Sequence, residues 1–169
     1  MSYTLYDGSI AQAKASVSAM IHLLDLAAKQ PNADALLNAS LHPDMKPLTF
    51  QVFLVEWLTG SMLAKLTGRE AASVENNITT YAQANERLEA LLKGLKEADK
   101  AVVNSHGDDV APVKLGPVDL GEMTAAQHAT NVVMPNVFFH VTTAYGILRK
   151  EGLPLGKSDY LAPFISASA

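Results

Sequence analysis

The chain has no cysteine, which removes disulfides, thiolate nucleophiles and Cys-ligated zinc or iron–sulfur centres from consideration. No uninterrupted apolar run approaches the ~20 residues of a membrane span. The first residues, Met-Ser-Tyr-Thr-Leu-Tyr-Asp, lack the basic segment and apolar core of a signal peptide. A soluble, cytoplasmic protein with no membrane partner is expected. Basic clusters are missing as well: 13 Lys and Arg against 17 Asp and Glu give a net charge of -4, a balance that argues against nucleic acid as a partner. There is no Gly-rich phosphate loop, nucleophile elbow or paired-carboxylate motif, and no internal repeat or low-complexity tract.

What is present is a globular composition, 49% hydrophobic and 18% charged over 169 residues. That length is enough for one domain, residues 1–169, with a sizeable core. Helical periodicity dominates. Ile10, Ala13, Val17, Met20, Ile21, Leu24 and Ala28 define one face of a first helix that starts at Asp7 or Ser9 and runs to about Lys29. Leu23 and Leu26 lie off that face and suggest a second buried contact, for instance with another subunit. Pro47 opens a second helix, largely apolar, that runs to about Leu66 with Gly68 as its stop. A third, amphipathic helix is predicted from about Val74 to Lys96. Residues 101–121 read as a non-helical insert in which Val113–Leu115 and Val118–Leu120 can pair across Gly116-Pro117. A fourth helix begins near Thr124 and ends at Lys150. Pro135 must kink or split it, because proline cannot donate to the carbonyl of Asn131. An irregular tail with apolar anchors follows.

The stretch from Pro135 to Gly152 is apolar almost all round, apart from a polar row. Asn136 and His140 are one turn apart and Thr143 continues their face. Polar groups inside such a helix must find partners. His140 can serve as general base or acid near neutral pH, and Asn136 can hold its ring or polarise a carbonyl. On the second helix Gln51 shares a face with Leu54, Val55 and Leu58, while Glu56 is turned about 140° from it. Tyr145, Trp57, and His42 with Asp44 in the preceding connection complete the candidates for substrate binding. The same Asn–His–Thr row also reads as an interhelical hydrogen-bond network that fixes helix register. A metal is not favoured by spacing. None of the five histidines has another at i+3 or i+4, and His128 lies roughly 18 Å before His140 along an unbroken helix.

Phe139-His140-Val141-Thr142-Thr143-Ala144-Tyr145, with Ile147-Leu148-Arg149, Gly152-Leu153-Pro154 and Asp159-Tyr160-Leu161, resembles a family of bacterial and fungal proteins classed as a domain of unknown function within the DinB-like superfamily. Leu41-His42-Pro43-Asp44-Met45, Pro47-Leu48 and Gln51-Val52 resemble the same family's segment leading into its second helix. The resemblance covers essentially the whole chain. It implies an all-α, DinB-like up-and-down four-helix bundle, commonly dimeric, with a small irregular or β-hairpin insert between helices 3 and 4. The wider superfamily includes thiol-dependent transferases and isomerases that hold a divalent metal with three histidines. Matching Leu148-Arg149 to the Leu-Arg that follows the superfamily's histidine pair puts His140 at the second ligand position. Asn136 then stands at the first, and Gln51 stands at or near the helix-2 ligand.

The leading expectation is therefore a small organic ligand in an interhelical pocket and metal-independent acid–base chemistry of isomerase, cyclase or lyase type. His140 would move the proton, and Asn136 and Gln51 would orient the substrate. No cofactor is expected and no metal ligands beyond His140, the one retained position. A second reading is a non-catalytic ligand-binding or dimeric interaction protein. A third is a nickel- or zinc-dependent thiol transferase or isomerase of the DinB type.

Overall fold

The computed structural model describes residues 2–166, the side chain of Leu115 apart. Helix α1 spans Leu5–Gly8 and α2 spans Ile10–Ala27. The chain enters helix earlier than Asp7, because Asp7 accepts from the backbone N–H and hydroxyl of Thr4 at 2.9 and 2.7 Å, a local cap for the first turn. A short α3, Ala33–Leu37, precedes α4, Leu48–Leu66. Pro47 stands just outside α4 and Gly68 follows it in the left-handed region at φ 65, the expected stop.

The third long helix, α5, covers Tyr81–Glu97, shorter than the periodicity predicts. Thr80 caps it by accepting from the Gln83 N–H at 3.2 Å, and Glu75, Asn76 and Asn77 stay outside. Their side chains compete with helical bonding. Arg87 holds this connection, donating to Asn77 Oδ1 and the Glu75 carbonyl, each at 2.9 Å.

A six-residue α6, Lys100–Ser105, begins what the sequence suggests is non-helical. Asp99 caps it through the N–H groups of Ala101 and Val102. Strands β1, Val110–Leu115, and β2, Val118–Thr124, then form an antiparallel hairpin. Gly116 at φ 58 followed by Pro117 has the sign sequence of a II′ turn. The strands are longer than their apolar core because a bulge opposite Val113, with Gly121 at φ 76, lets pairing resume to Val110↔Thr124.

Thr124 caps α7, Ala125–Gln127, reciprocally with Gln127. The chain then widens into a π-helical turn, His128–Val133, before α8, Met134–Lys150. The discontinuity demanded by Pro135 thus takes the form of a widened turn just before it, and proline occupies the first turn of α8, where a missing N–H costs little. The tail is not irregular throughout: Lys157–Ser166 forms α9.

Four long helices close a ring in the order α2, α5, α4, α8, each packed on the next. Its interior holds Val17, Met20 and Leu24 of α2, Val52, Val55 and Met62 of α4, Leu88 and Leu95 of α5, and Val137, Val141 and Leu148 of α8. Leu23 is fully buried too. The second buried side of α2 is covered by this chain's own α9, which packs along α2 and places Asp159 Oδ1 3.2 Å from His22 Nε2. Among the described residues no helix is long and apolar enough to cross a membrane.

Candidate functional site

Helices α4 and α8 lie side by side in the ring, and their contact brings Gln51 to His140. The His140 ring nitrogen Nδ1 is 2.7 Å from Gln51 Oε1. The two residues are 3% and 8% exposed, so water competes little for this bond. The Gln51 amide is itself oriented: its Nε2 donates to the Lys46 carbonyl at 2.9 Å and approaches that of Pro47 at 3.4 Å. A reversed amide would face those carbonyls with oxygen. Oε1 is therefore the group toward the ring, and Nδ1 must carry the proton. The tautomer leaves a lone pair on Nε2, for which no partner occurs among the described residues. Burial pushes the His140 pKa below its ordinary value, so the imidazole is neutral at pH 7. Phe139 packs edge-on against it with ring centroids 5.3 Å apart.

Asn136, half-buried one turn earlier, donates through Nδ2 to the Val132 carbonyl at 2.7 Å. This bond ties α8 back to the π-helical turn. Its second amide proton and Oδ1 have no partner among the described residues. Thr143 closes the polar row on its own helix, donating to the Phe139 carbonyl at 2.8 Å.

The other sequence candidates are not gathered here. Glu56 accepts from Arg87 Nε at 2.8 Å and pairs with its Nη2 at 2.6 Å, which fastens α4 to α5 and the connection before it. His42 Nδ1 and Asp44 Oδ1 are 2.5 Å apart on an exposed turn. Tyr145 faces Tyr160 of α9 across a small cleft. Trp57, 38% exposed, stands at a cavity about 460 Å³ in volume between α4, the π-helical turn and β1, with His128 and Lys65 also in its wall. The sequence carries one signal for this wall, the spacing Ser61-x3-Lys65 that puts Ser61 and Lys65 on one flank of α4; His128 has no such local signal.

A three-histidine metal centre, implied for the wider superfamily by the resemblance, does not fit these donors. Gln51 is bound to Nδ1, away from the free Nε2, so both cannot face one ion. Among the described residues no group of three His, Cys, Asp or Glu is placed to hold a metal.

A closed ring of four long helices with a hairpin before the last of them, and a buried imidazole on the α4–α8 seam, makes a helical bundle with one candidate site between two of its helices. The family model described as Domain of unknown function (DUF1993) matches residues 5–161, and the chain belongs to that family. Among solved structures it is similar to the crystal structure of a DinB family member protein from Shewanella denitrificans, with a TM-score of 0.81 and 29% identity over 93% of this chain and 91% of that one. A search of curated proteins returns no match.

Proposed function

We propose that this DinB-like protein is a metal-independent acid–base enzyme acting on a small organic molecule, with His140 as the proton carrier. The observation that carries the reading is the fixed tautomer: Gln51 Oε1 holds Nδ1–H at 2.7 Å and leaves Nε2 as the acceptor. In an isomerisation, Nε2 would take a proton from carbon α to a carbonyl, the C–H electron pair moving toward the carbonyl oxygen. The imidazolium so formed keeps its Nδ1–H on Gln51 and returns the Nε2 proton to the same carbon from the other face or, for a β,γ-unsaturated ketone, to the γ carbon of the dienolate, the electron pair returning from oxygen. Asn136, with one amide proton and Oδ1 uncommitted, would orient the substrate carbonyl. A depressed pKa keeps His140 in its basic form at neutral pH.

The test is proton exchange in D2O, read by NMR over a panel of α-acidic ketones and keto acids. Wild-type protein should accelerate exchange of at least one, with a rate that rises through a single ionisation below pH 6.5. His140→Ala exchanging that compound at the wild-type rate would end the proposal.

A second reading is favoured by the depth of His140, which lines neither the cavity beside His128 nor the cavity between α4 and α5. On that reading the Gln51–His140 bond is a clamp that sets α4 against α8, and the protein binds ligands without turning them over. A homodimer belongs to the proposal too. Leu41 and Phe139, 39% and 56% exposed, border one open depression on α8, and Phe139→Glu should shift a sedimentation-velocity dimer to monomer.

A further inference from the structure

We infer that the cavity between α4, the π-helical turn and β1 binds a small organic carboxylate with an apolar body, its charge on Lys65 beside Ser61 and His128. This site is separate from the acid–base seam: Leu58, in its wall, follows Gln51 by two helical turns, ~10 Å along α4.

The size is right for a small ligand: about 460 Å³, within the range of ~300–1,000 Å³ usual for such sites. The sign of the wall is the second argument. The chain carries net charge -4, yet the lining holds Lys65, Arg69 and Lys114 and no Asp or Glu. The neighbouring cavity between α4 and α5 is lined by Glu56 and Glu70 as well as Arg69 and Arg87, so a one-signed wall is not the rule for this fold. Among the described residues none of the three cations has a carboxylate within ion-pair distance. Ser61 and the ring of His128 likewise have no hydrogen-bond partner among them. Polar groups left open together beside a shared cavity are what a polar ligand satisfies.

Local electrostatics agree. Burial draws the Lys65 pKa down, countered only by the field of Asp109, and Asp109 is committed to His106 at 2.6 Å. Burial and the nearby Lys65 charge both hold His128 neutral, so its ring donates one hydrogen bond rather than adding a fourth charge to the wall. A carboxylate matches this set of one half-buried ammonium, a hydroxyl and an imidazole N–H. Inorganic phosphate would meet the same cations but leave the apolar part of the wall uncovered. The body of the ligand would rest on Leu58, Val113 and Val132.

Trp57 is the only tryptophan and stands in this wall, so its emission reports occupancy. The experiment titrates 4-phenylbutyrate, its neutral amide and inorganic phosphate into the full chain, with calorimetry in parallel. The acid should bind saturably and at least tenfold more tightly than the amide. Lys65→Met should weaken the acid at least tenfold and leave the amide unchanged. His140→Phe should alter neither, so loss of the acid–base proposal would not touch this one. Equal binding of acid and amide, no saturable binding, an unchanged affinity in Lys65→Met, or displacement by phosphate would overturn it. So would weaker binding in His140→Phe. Should Lys65→Met fail to fold, Ser61→Phe, which fills the cavity, replaces it; retained acid binding in that variant overturns the placement.

Discussion

Replacing Gln51 by Leu tests the α4–α8 seam directly. The substitution keeps the volume of the side chain and removes the acceptor of His140 Nδ1–H, 2.7 Å away. With the two residues 3% and 8% exposed, water cannot readily replace the lost partner, and an orphaned buried donor costs about 1–3 kcal/mol. The carbonyls of Lys46 and Pro47 lose a donor too, but that of Pro47 still accepts from the Phe50 N–H at 3.0 Å, so the imidazole dominates. A change of about 2 kcal/mol lowers the melting temperature of a domain of this size by roughly 4–8 °C. His140→Phe, which strands Gln51 Oε1 instead, should cost about 1–2 kcal/mol. The double variant Gln51→Leu/His140→Phe removes both orphans, and it should be more stable than Gln51→Leu alone. The assay is a double-mutant cycle by urea unfolding at pH 8, where His140 is neutral. The expected coupling is about 1–3 kcal/mol. Additive effects, with the double variant as unstable as the sum of the singles, would show that the two side chains do not meet. Nitrogen NMR of the wild type gives an independent check: a dominant Nε2–H tautomer for His140 would contradict the assigned orientation of the Gln51 amide.

Three further outcomes follow from particular contacts. Lys100 and Thr4 hold the Asp7 carboxyl down at about 2 from its usual 3.8; a depressed carboxylate contributes stability that is complete above the unfolded value and lost as pH falls from ~4 to ~2, so Asp7→Asn should flatten the acid limb of the stability curve in that window and nowhere else. Gly68 sits at φ 65, and a Cβ there would lie 2.9 Å from His106 Nε2, whereas Gly116 at φ 58 has nothing within 4 Å of its Cβ; Gly68→Ala should therefore cost about 2 kcal/mol and Gly116→Ala about 1, an order that thermal unfolding can reverse or confirm. Gln51→Glu places a carboxylate on Nδ1, which should raise the His140 pKa above the burial-lowered native value, seen as a shift of its NMR titration to higher pH.

The ring of helices was legible because its signals are local and repeated. Apolar residues at helical spacing, Pro47 before α4 and Gly68 after it, and the Thr124 cap all act within a turn or two of where they stand. The hairpin was legible from Gly116-Pro117 for the same reason. Misreadings fell where long-range partners decide. Val74–Thr80 continues the apolar period of α5, yet Arg87 and Glu56 hold it in a connection. The tail becomes α9 because α2 offers it an apolar side, which no property of residues 157–166 alone announces. For the site, the position of His140 and its shared face with Asn136 could be read from spacing, and Gln51 could be placed on a buried face. That Gln51 and His140 bond to each other depends on the phase of α4 against α8, which the π-helical turn before Pro135 resets. The cavity beside His128 was hidden altogether, since its wall draws on α4, a connection, β1 and that same turn.

The Gln51–His140 bond also bears on the proton chemistry proposed for this seam and on how it differs from a metal site. A histidine that ligates a metal commonly has its second nitrogen held by an acceptor, which fixes ring and tautomer. His140 has that arrangement in full, with an acceptor that is neutral rather than anionic. A neutral amide orients the ring without raising its basicity as a carboxylate would, so the depressed pKa set by burial persists. Binding an ion would then require further donors beside Nε2, and the candidate on the same face, Asn136, offers only a neutral amide oxygen, a poor ligand for zinc or nickel. One oriented, neutral imidazole is a poor cage, and on the proposed reading it is the base. Added donors should convert the site: Asn136→His puts a second imidazole one turn from His140 and Gln51→His frees the ring from its present tautomer, and metal uptake by the double variant, measured by elemental analysis against wild type, should be accompanied by loss of the proton exchange proposed for His140. Uptake with exchange intact would place the base elsewhere.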